Sequence, residues 1–192
     1  MDNNGKTILL HCCCGPCASA CVERLLAEGR RCRLLFSNSN LDTPDEFALR
    51  LENLRKVSAA FGLGEVIVDE YRHEEWRASL QEVAGYAECP EGGERCGRCF
   101  RWSLSRAQHF AENEDCLFAT SLTVSPHKKS ALLAQIGAGF SRYEHHDFKK
   151  KDGFLRSLQL SRQLALYRQD YCGCEYSRRK ATKNPVLQPQ NG

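Results

Sequence analysis

The chain has 192 residues, 42% of them hydrophobic and 27% charged, with twelve cysteines and a formal net charge of +3. This is ordinary usage for one globular domain with a real core, and no stretch nears the roughly 18 consecutive apolar residues of a membrane span. The Met1–Lys6 start is followed by an apolar run of only Ile8-Leu9-Leu10; that is no signal peptide, so a cytoplasmic protein is expected, and its cysteines are read for metal binding or catalysis rather than for a disulfide framework.

Thr7 to His11 reads as a short buried strand, which runs into Gly15-Pro16 and a helical pattern through Val22, Leu25 and Leu26 that stops at Gly29. Cys32 to Phe36 makes a second strand. Thr43-Pro44 opens a helix with Phe47, Leu51, Leu54, Val57 and Phe61 at helical spacing, ended by Gly62. Val66 to Val68 makes a third strand, His73 to Val83 a helix and residues 85–95 a loop. A long helix begins near Cys96 and runs past Phe110. Cys116 to Thr120 supplies a fourth strand. Helix from Pro126 to Ile136, a short strand near Tyr143 and a last helix from Leu155 to Tyr167 follow, and residues 183–192 read as a disordered tail.

Strands alternating with helices of crossover length argue for an α/β fold, a mostly parallel sheet flanked by helices with a C-terminal helical segment, forming one domain over residues 1–182. Ligands then belong at the carboxyl ends of the strands. The densest chemical feature, His11-Cys12-Cys13-Cys14-Gly15-Pro16-Cys17, falls at such an end. Gly15 permits a turn and Pro16 suits a first helical position, which puts thiols at a helix N-terminus, where thiolates and anionic ligand sets are favoured.

Cys96-Gly97-Arg98-Cys99 has the spacing at which two thiolates converge on one metal centre. Two ligands from each motif make four, which fits a 4Fe-4S cubane or a structural zinc. The adjacency of Cys13 and Cys14 leans toward the cluster, because neighbours crowd one small ion while a cubane offers each its own iron. Cys172-Gly173-Cys174 would, with Cys17, bind a second metal, or else form a strained redox-active disulfide or stand as an inert pair. Cys21, Cys32 and Cys116 read as small buried hydrophobes, and Cys89 is a loop thiol without a partner spacing. Charge is uneven: residues 142–192 hold 11 Lys or Arg against 5 Asp or Glu, a basic end suited to phosphates or to solvent alike.

The motifs His11-x-Cys13-Cys14-x-Pro16-Cys17, Pro90-Glu91-Gly92-Gly93-x-x-Cys96-x-x-Cys99-Phe100, Ser125-Pro126-His127-Lys128, Asp147-Phe148-Lys149-Lys150-Lys151 and Tyr167-Arg168-Gln169-x-Tyr171-Cys172-Gly173-Cys174 occur in this order. With them the chain resembles the QueH family of epoxyqueuosine reductases from about residue 7 to 177. The resemblance implies a Rossmann-like fold of the HUP type. It also implies reduction of the epoxide of epoxyqueuosine, at the tRNA wobble position, to queuosine, the last step of that biosynthesis. It assigns the 4Fe-4S cluster to Cys13, Cys14, Cys96 and Cys99, and an adjacent mononuclear iron to Cys17, Cys172 and Cys174, the latter two being alternatively a redox-active disulfide. Cys12 is a third thiol at a position the resemblance leaves variable.

Removing an epoxide oxygen to leave an alkene needs two electrons, from an unidentified donor, and protons for the departing oxygen. His127, His11, Tyr171 and Lys128 are the candidate acids. The bland readings are a helix-start role for His127, a turn-orienting role for His11 and packing for Tyr171. The wobble nucleoside lies in a single-stranded anticodon loop and can be splayed into a pocket while Lys149, Lys150, Lys151, Arg178, Arg179 and Lys180 hold flanking phosphates. Two other classes compete: a zinc-stabilised RNA-binding module, and an ATP-dependent tRNA-thiolating enzyme. The latter needs a Ser-Gly-Gly-x-Asp-Ser loop where this chain has His11 to Cys17.

Overall fold

A computed structural model describes residues 6–178. The described residues contain a four-stranded sheet of order β3-β2-β1-β4, with β1 Thr7–His11, β2 Arg31–Phe36, β3 Ile67–Val68 and β4 Leu117–Thr120. All pairings are parallel: β1 runs beside β2 from Thr7↔Arg31 to His11↔Leu35 and beside β4 from Ile8↔Leu117 to His11↔Thr120, and β3 pairs at Leu35↔Ile67. The expected α/β architecture is therefore present. The order reverses at β1, since the chain moves outward to β2 and β3 and then returns to the other side as β4. The carboxyl ends of β1 and β4 thus form a switch point, where open α/β sheets bind their ligands.

Among the described residues six α-helices accompany the sheet: α1 Gly15–Ala27, α2 Pro44–Ala60, α3 His73–Leu80, α4 Glu94–Asn113, α5 Ser130–Gly137 and α6 Gly153–Gln163. Side chains alternate across the strands, so Ile8, Leu10, Leu34 and Phe36 join the core under α1 and α2, while Leu9, Leu35 and Phe118 join Phe100, Leu104, Leu133 and Ile136 from α4 and α5. Burial on both faces explains why β1 reads as a continuous apolar run. No helix among the described residues is long and apolar enough to cross a membrane.

Local signals act where expected in α2, whose Thr43 side chain accepts the Glu46 N–H at 3.1 Å with Pro44 at the first turn. Two boundaries differ by a full helical turn. The helix expected from Pro126 begins only at Ser130, because Pro126 holds Ser125 in an extended conformation and residues 125–128 close a turn through Lys128 N–H to the Ser125 carbonyl. His127 therefore lies in that turn and not at a helix start. The last helix ends at Gln163 and not at Tyr167, since Ala165 adopts φ 48° and the Tyr167 N–H is taken by Asn53 Oδ1 at 2.8 Å. A 3₁₀ turn over Ser121–Val124, absent from the sequence reading, follows β4 directly. The strand near Tyr143 is a single parallel bridge to Phe118. The expected tail over 183–192 lies outside the described residues, as do Arg179 and Lys180.

Candidate metal centre

Cys14 caps α1, and Pro16 and Cys17 fill its first turn. Gly15 is required there by contact rather than by turn geometry: a Cβ would stand 2.7 Å from the carbonyl oxygen of Asn53 in α2. The close approach gathers the thiols of Cys13, Cys14 and Cys17 within 4.8 Å of one another, and among the described residues this is the one set of three or more Cys, His, Asp or Glu donors so disposed. The Cys13 N–H donates to Ser121 Oγ at 3.1 Å, and that hydroxyl reaches the Cys13 sulfur at 3.4 Å. The 3₁₀ turn after β4 thus clasps the turn after β1 across the switch point.

Within this first thiol group the hydrogen bonds favour charge on Cys14 over its neighbours. Cys13 and Cys17 point S–H donors at Cys14, and Gln169 adds a third contact, so the Cys14 thiol is held well below the ordinary thiol range despite burial. Hydrogen bonding to Cys14 pushes Cys13 up, and hydrogen bonding to both neighbours pushes Cys17 well up. Cys13 and Cys14 sulfurs are 3.8 Å apart. A tetrahedral ion with metal–sulfur bonds of about 2.3 Å has ligands about 3.8 Å apart, so this spacing is open to a single ion as well as to a cluster.

A cavity of about 340 Å³ opens at this point, inside the range of roughly 300–1,000 Å³ typical of ligand sites. Cys13 and Cys17 line it together with Cys99 and Cys172 from distant segments. Cys96 and Cys99, in the first turns of α4, do not join the tight set of three. They form a second thiol group with the C-x-C segment: burial and the Cys172 thiol push Cys99 well up, and the Gly92 N–H contacts the Cys96 sulfur at 3.2 Å. Cys172 faces the cavity, while Cys174 packs with Trp76, Leu80 and Cys99 in a small apolar cluster. Gly173 has φ +129°, and a Cβ there would meet Leu41 Cδ2 at 2.4 Å, so only glycine fits between the two cysteines. The four thiols that face the cavity suit zinc, iron or an iron-sulfur centre.

The candidate acids divide. His11 is 1% exposed; its Nε2 reaches the Ser37 carbonyl at 3.1 Å and its Nδ1 the Thr120 hydroxyl at 2.9 Å, and burial lowers its pKa. Both nitrogens are engaged, tying the end of β1 to the end of β4 and to the residue after β2. The Tyr171 hydroxyl donates to Asp42 Oδ1 at 2.9 Å, and burial raises its pKa. His127 lines the cavity with an exposed side chain. Lys128 lines it too; burial opposes its charge, but the thiols of Cys172, Cys13, Cys17 and Cys14 outweigh that and push its pKa up. Lys150 and Lys151 are exposed, whereas the Lys149 ammonium donates to the Lys128 carbonyl at 2.9 Å.

Cys12 points away from the cavity into the core and donates to the Leu10 carbonyl. Cys21 and Cys32 lie in the same core and Cys116 in the other, with burial pushing Cys32 up to about 12. Cys89 is half-buried in the loop before α4.

Sequence reasoning missed a buried polar row on α2: Glu46, Arg50 and Asn53, at 8%, 1% and 2% exposure. Arg50 donates to Glu46 at 2.6 Å and to the Cys172 carbonyl at 3.0 Å, and Asn53 touches Gly15 and holds Tyr167. The available signal was their i, i+4, i+7 spacing leading into Val57, which puts three polar side chains on the edge of the apolar stripe.

A family model described as epoxyqueuosine reductase QueH matches residues 8–180. The chain is similar to the epoxyqueuosine reductase QueH of Streptococcus pyogenes serotype M1, with 33% identity over 182 residues, covering 89% of this chain and 70% of that one. It is 32% identical over 177 residues to the protein of that name from Thermotoga maritima, covering 89% and 90%. For that from Acinetobacter baylyi the identity is 29% over 190 residues, covering 95% and 85%.

Proposed function

The chain belongs to the QueH family of epoxyqueuosine reductases, which are oxidoreductases, and from that premise we propose that it reduces epoxyqueuosine at the wobble position of tRNA to queuosine in the cytoplasm. The observation that carries this reading is the meeting of thiols from three separate segments, 13–17, 96–99 and 172–174, at one cavity on the switch point. In the reaction the two C–O bonds of the epoxide break, a C=C bond forms, and the oxygen leaves as water after taking up two electrons and two protons.

Cys13, Cys14, Cys96 and Cys99 would hold a 4Fe-4S cluster, and Cys17, Cys172 and Cys174 an adjacent iron. When bound, such a centre supplies electrons, passed on from a separate donor, and a Lewis acid for the epoxide oxygen. The chain's own residues supply the rest. His11 and Tyr171 spend their polar atoms on structure, which leaves His127 and Lys128, both on the cavity wall, as the groups placed to bring a proton to the oxygen. Exposed Lys150 and Lys151 would hold phosphates of the anticodon loop. Lys149 ties that turn to Lys128, so docking of the RNA at 149–151 would bear directly on the cavity wall.

Anaerobic purification with iron and sulfide analysis, followed by turnover of epoxyqueuosine-containing tRNA, tests this. Brown protein that yields queuosine is expected. Colourless protein with one zinc per chain and no turnover would favour a zinc-stabilised RNA-binding module, a reading to which the 3.8 Å spacing of Cys13 and Cys14 lends itself.

A further inference from the structure

We propose that Arg50 is a positioning residue of the redox centre, a fixed buried cation that clamps the Cys172 carbonyl and raises the reduction potential of the centre held by the two thiol groups. This rests on the reading that the centre is iron-sulfur.

A guanidinium is rarely withdrawn from water unless its charge and its donors are met, yet Arg50 is 1% exposed. Its Nε donates to Glu46 Oε1 at 2.6 Å and its Nη1 to the Cys172 carbonyl at 3.0 Å, while its Nη2 has no acceptor among the described residues. Its carbon lies 5.5 Å from the centroid of the Tyr171 ring. Both terminal nitrogens lie against Gly173, where a Cβ would stand 3.1 and 3.2 Å from them. Beyond Glu46, the group that most favours its charge is the Cys14 thiolate of the other thiol group.

Arg50 therefore touches the C-x-C segment and acts electrostatically on the α1 N-terminal turn. Among the described residues Glu46 is the one carboxylate hydrogen-bonded to it, and Glu46 also accepts from Tyr167 at 3.3 Å. A cation so placed stabilises the form of a thiolate centre that carries the extra electron, and burial keeps solvent from screening it. The fork geometry matters for the clamp, because one ammonium could not serve Glu46 and Cys172 in the same way.

The pair makes a test with opposite signs. In cluster-loaded protein, R50Q should lower the midpoint potential, raising the oxidised-to-reduced ratio at fixed solution potential at least tenfold, which is ~59 mV for a one-electron couple. E46Q leaves the cation unopposed and should move the ratio the other way by at least threefold. A merely structural role would not produce shifts of opposite sign. R50K should keep most of the potential but speed amide exchange at Gly173, whose N–H donates to Ser177 Oγ. Ratios within twofold of wild type for both R50Q and E46Q would overturn the proposal. If R50Q fails to fold or load, E46Q decides alone, and an unchanged or higher oxidised fraction overturns it. Wild-type protein lacking an iron-sulfur centre would instead sink the functional reading, and this inference with it.

Discussion

The two thiol groups that face the cavity are built in opposite ways. Cys13, Cys14 and Cys17 come from five consecutive residues, and the chain assembles them locally through a strand end, a helix start and one glycine pressed against α2. Cys96, Cys99, Cys172 and Cys174 come from the start of α4 and a C-terminal segment, and they meet only because α2, α3 and α4 hold those pieces together. The first group is therefore set once the sheet and α1 exist. The second depends on long-range contacts, above all the Arg50 donation to Cys172 and the Asp42 N–H donation to the Gly173 carbonyl.

The largest break in this comparison comes from single thiols. C14A removes one thiol of the tight set of three and should abolish cluster loading, read as loss of nearly all bound iron and sulfide. C172A removes a cavity-facing thiol of the second group. Under the proposed assignment it should keep the cluster's iron and sulfide, lose the additional iron, and lower turnover at least a hundredfold. Equal loss of iron in both variants would erase the distinction between the groups.

G173A acts on the second group alone. The new methyl would meet Leu41 at 2.4 Å in a left-handed backbone conformation, a combination that costs on the order of 1–3 kcal/mol. A lower urea midpoint and faster alkylation of Cys172 are expected, with Cys13 and Cys14 still loading metal. Faster alkylation of Cys13 to the same degree would mean that the two groups order together.

Acid pH sharpens the same contrast through α4. Asp69 is buried after β3, and although burial pushes its carboxyl up, Arg106 at 2.7 Å and the Ser37 hydroxyl at 2.7 Å hold it below the usual carboxylate range. A depressed pKa gives stability that is present above the unfolded value near 3.8 and is lost as pH falls through the lower folded value. Arg106 belongs to α4, so acidification below about pH 4 should release the helix carrying Cys96 and Cys99 before the α1 turn. D69N should cost about 1–3 kcal/mol at pH 7 and flatten that acid limb in urea titrations.

What could be read in the sequence follows the same division. The first group was legible because strand, glycine, proline and thiols are contiguous, and the core strands were legible because β1 is apolar on both faces and β2 closes on the buried run Leu34-Leu35-Phe36. The C-x-x-C and C-x-C motifs were visible as motifs, but their meeting was not, because nothing local in residues 96–99 or 172–174 encodes a partner. The Ser121 clasp was hidden in a four-residue turn that a helix-length pattern does not register. Arg50 was hidden by its type, since a Glu–Arg pair four residues apart on a helix ordinarily reads as a solvated surface pair. The late start of α5 was the opposite case, because the Pro126 signal was read as an opening when its effect on Ser125 was to delay the helix.

The smallest expected effect concerns RNA rather than thiols. Lys150 and Lys151 are exposed, whereas Lys149 is half-buried and bonded to the Lys128 carbonyl. Replacing Lys150 and Lys151 by glutamine should weaken tRNA binding and reduce the slope of log affinity against log salt by about 1.4, two phosphate contacts at about 0.7 each for a single strand. K149Q should change that slope less and alter turnover more, because it unties Lys128 from the turn beside the cavity. If K149Q shifts the slope as much as the other two do together, Lys149 is a phosphate contact, and its bond to Lys128 is incidental to how the RNA is felt at the thiols.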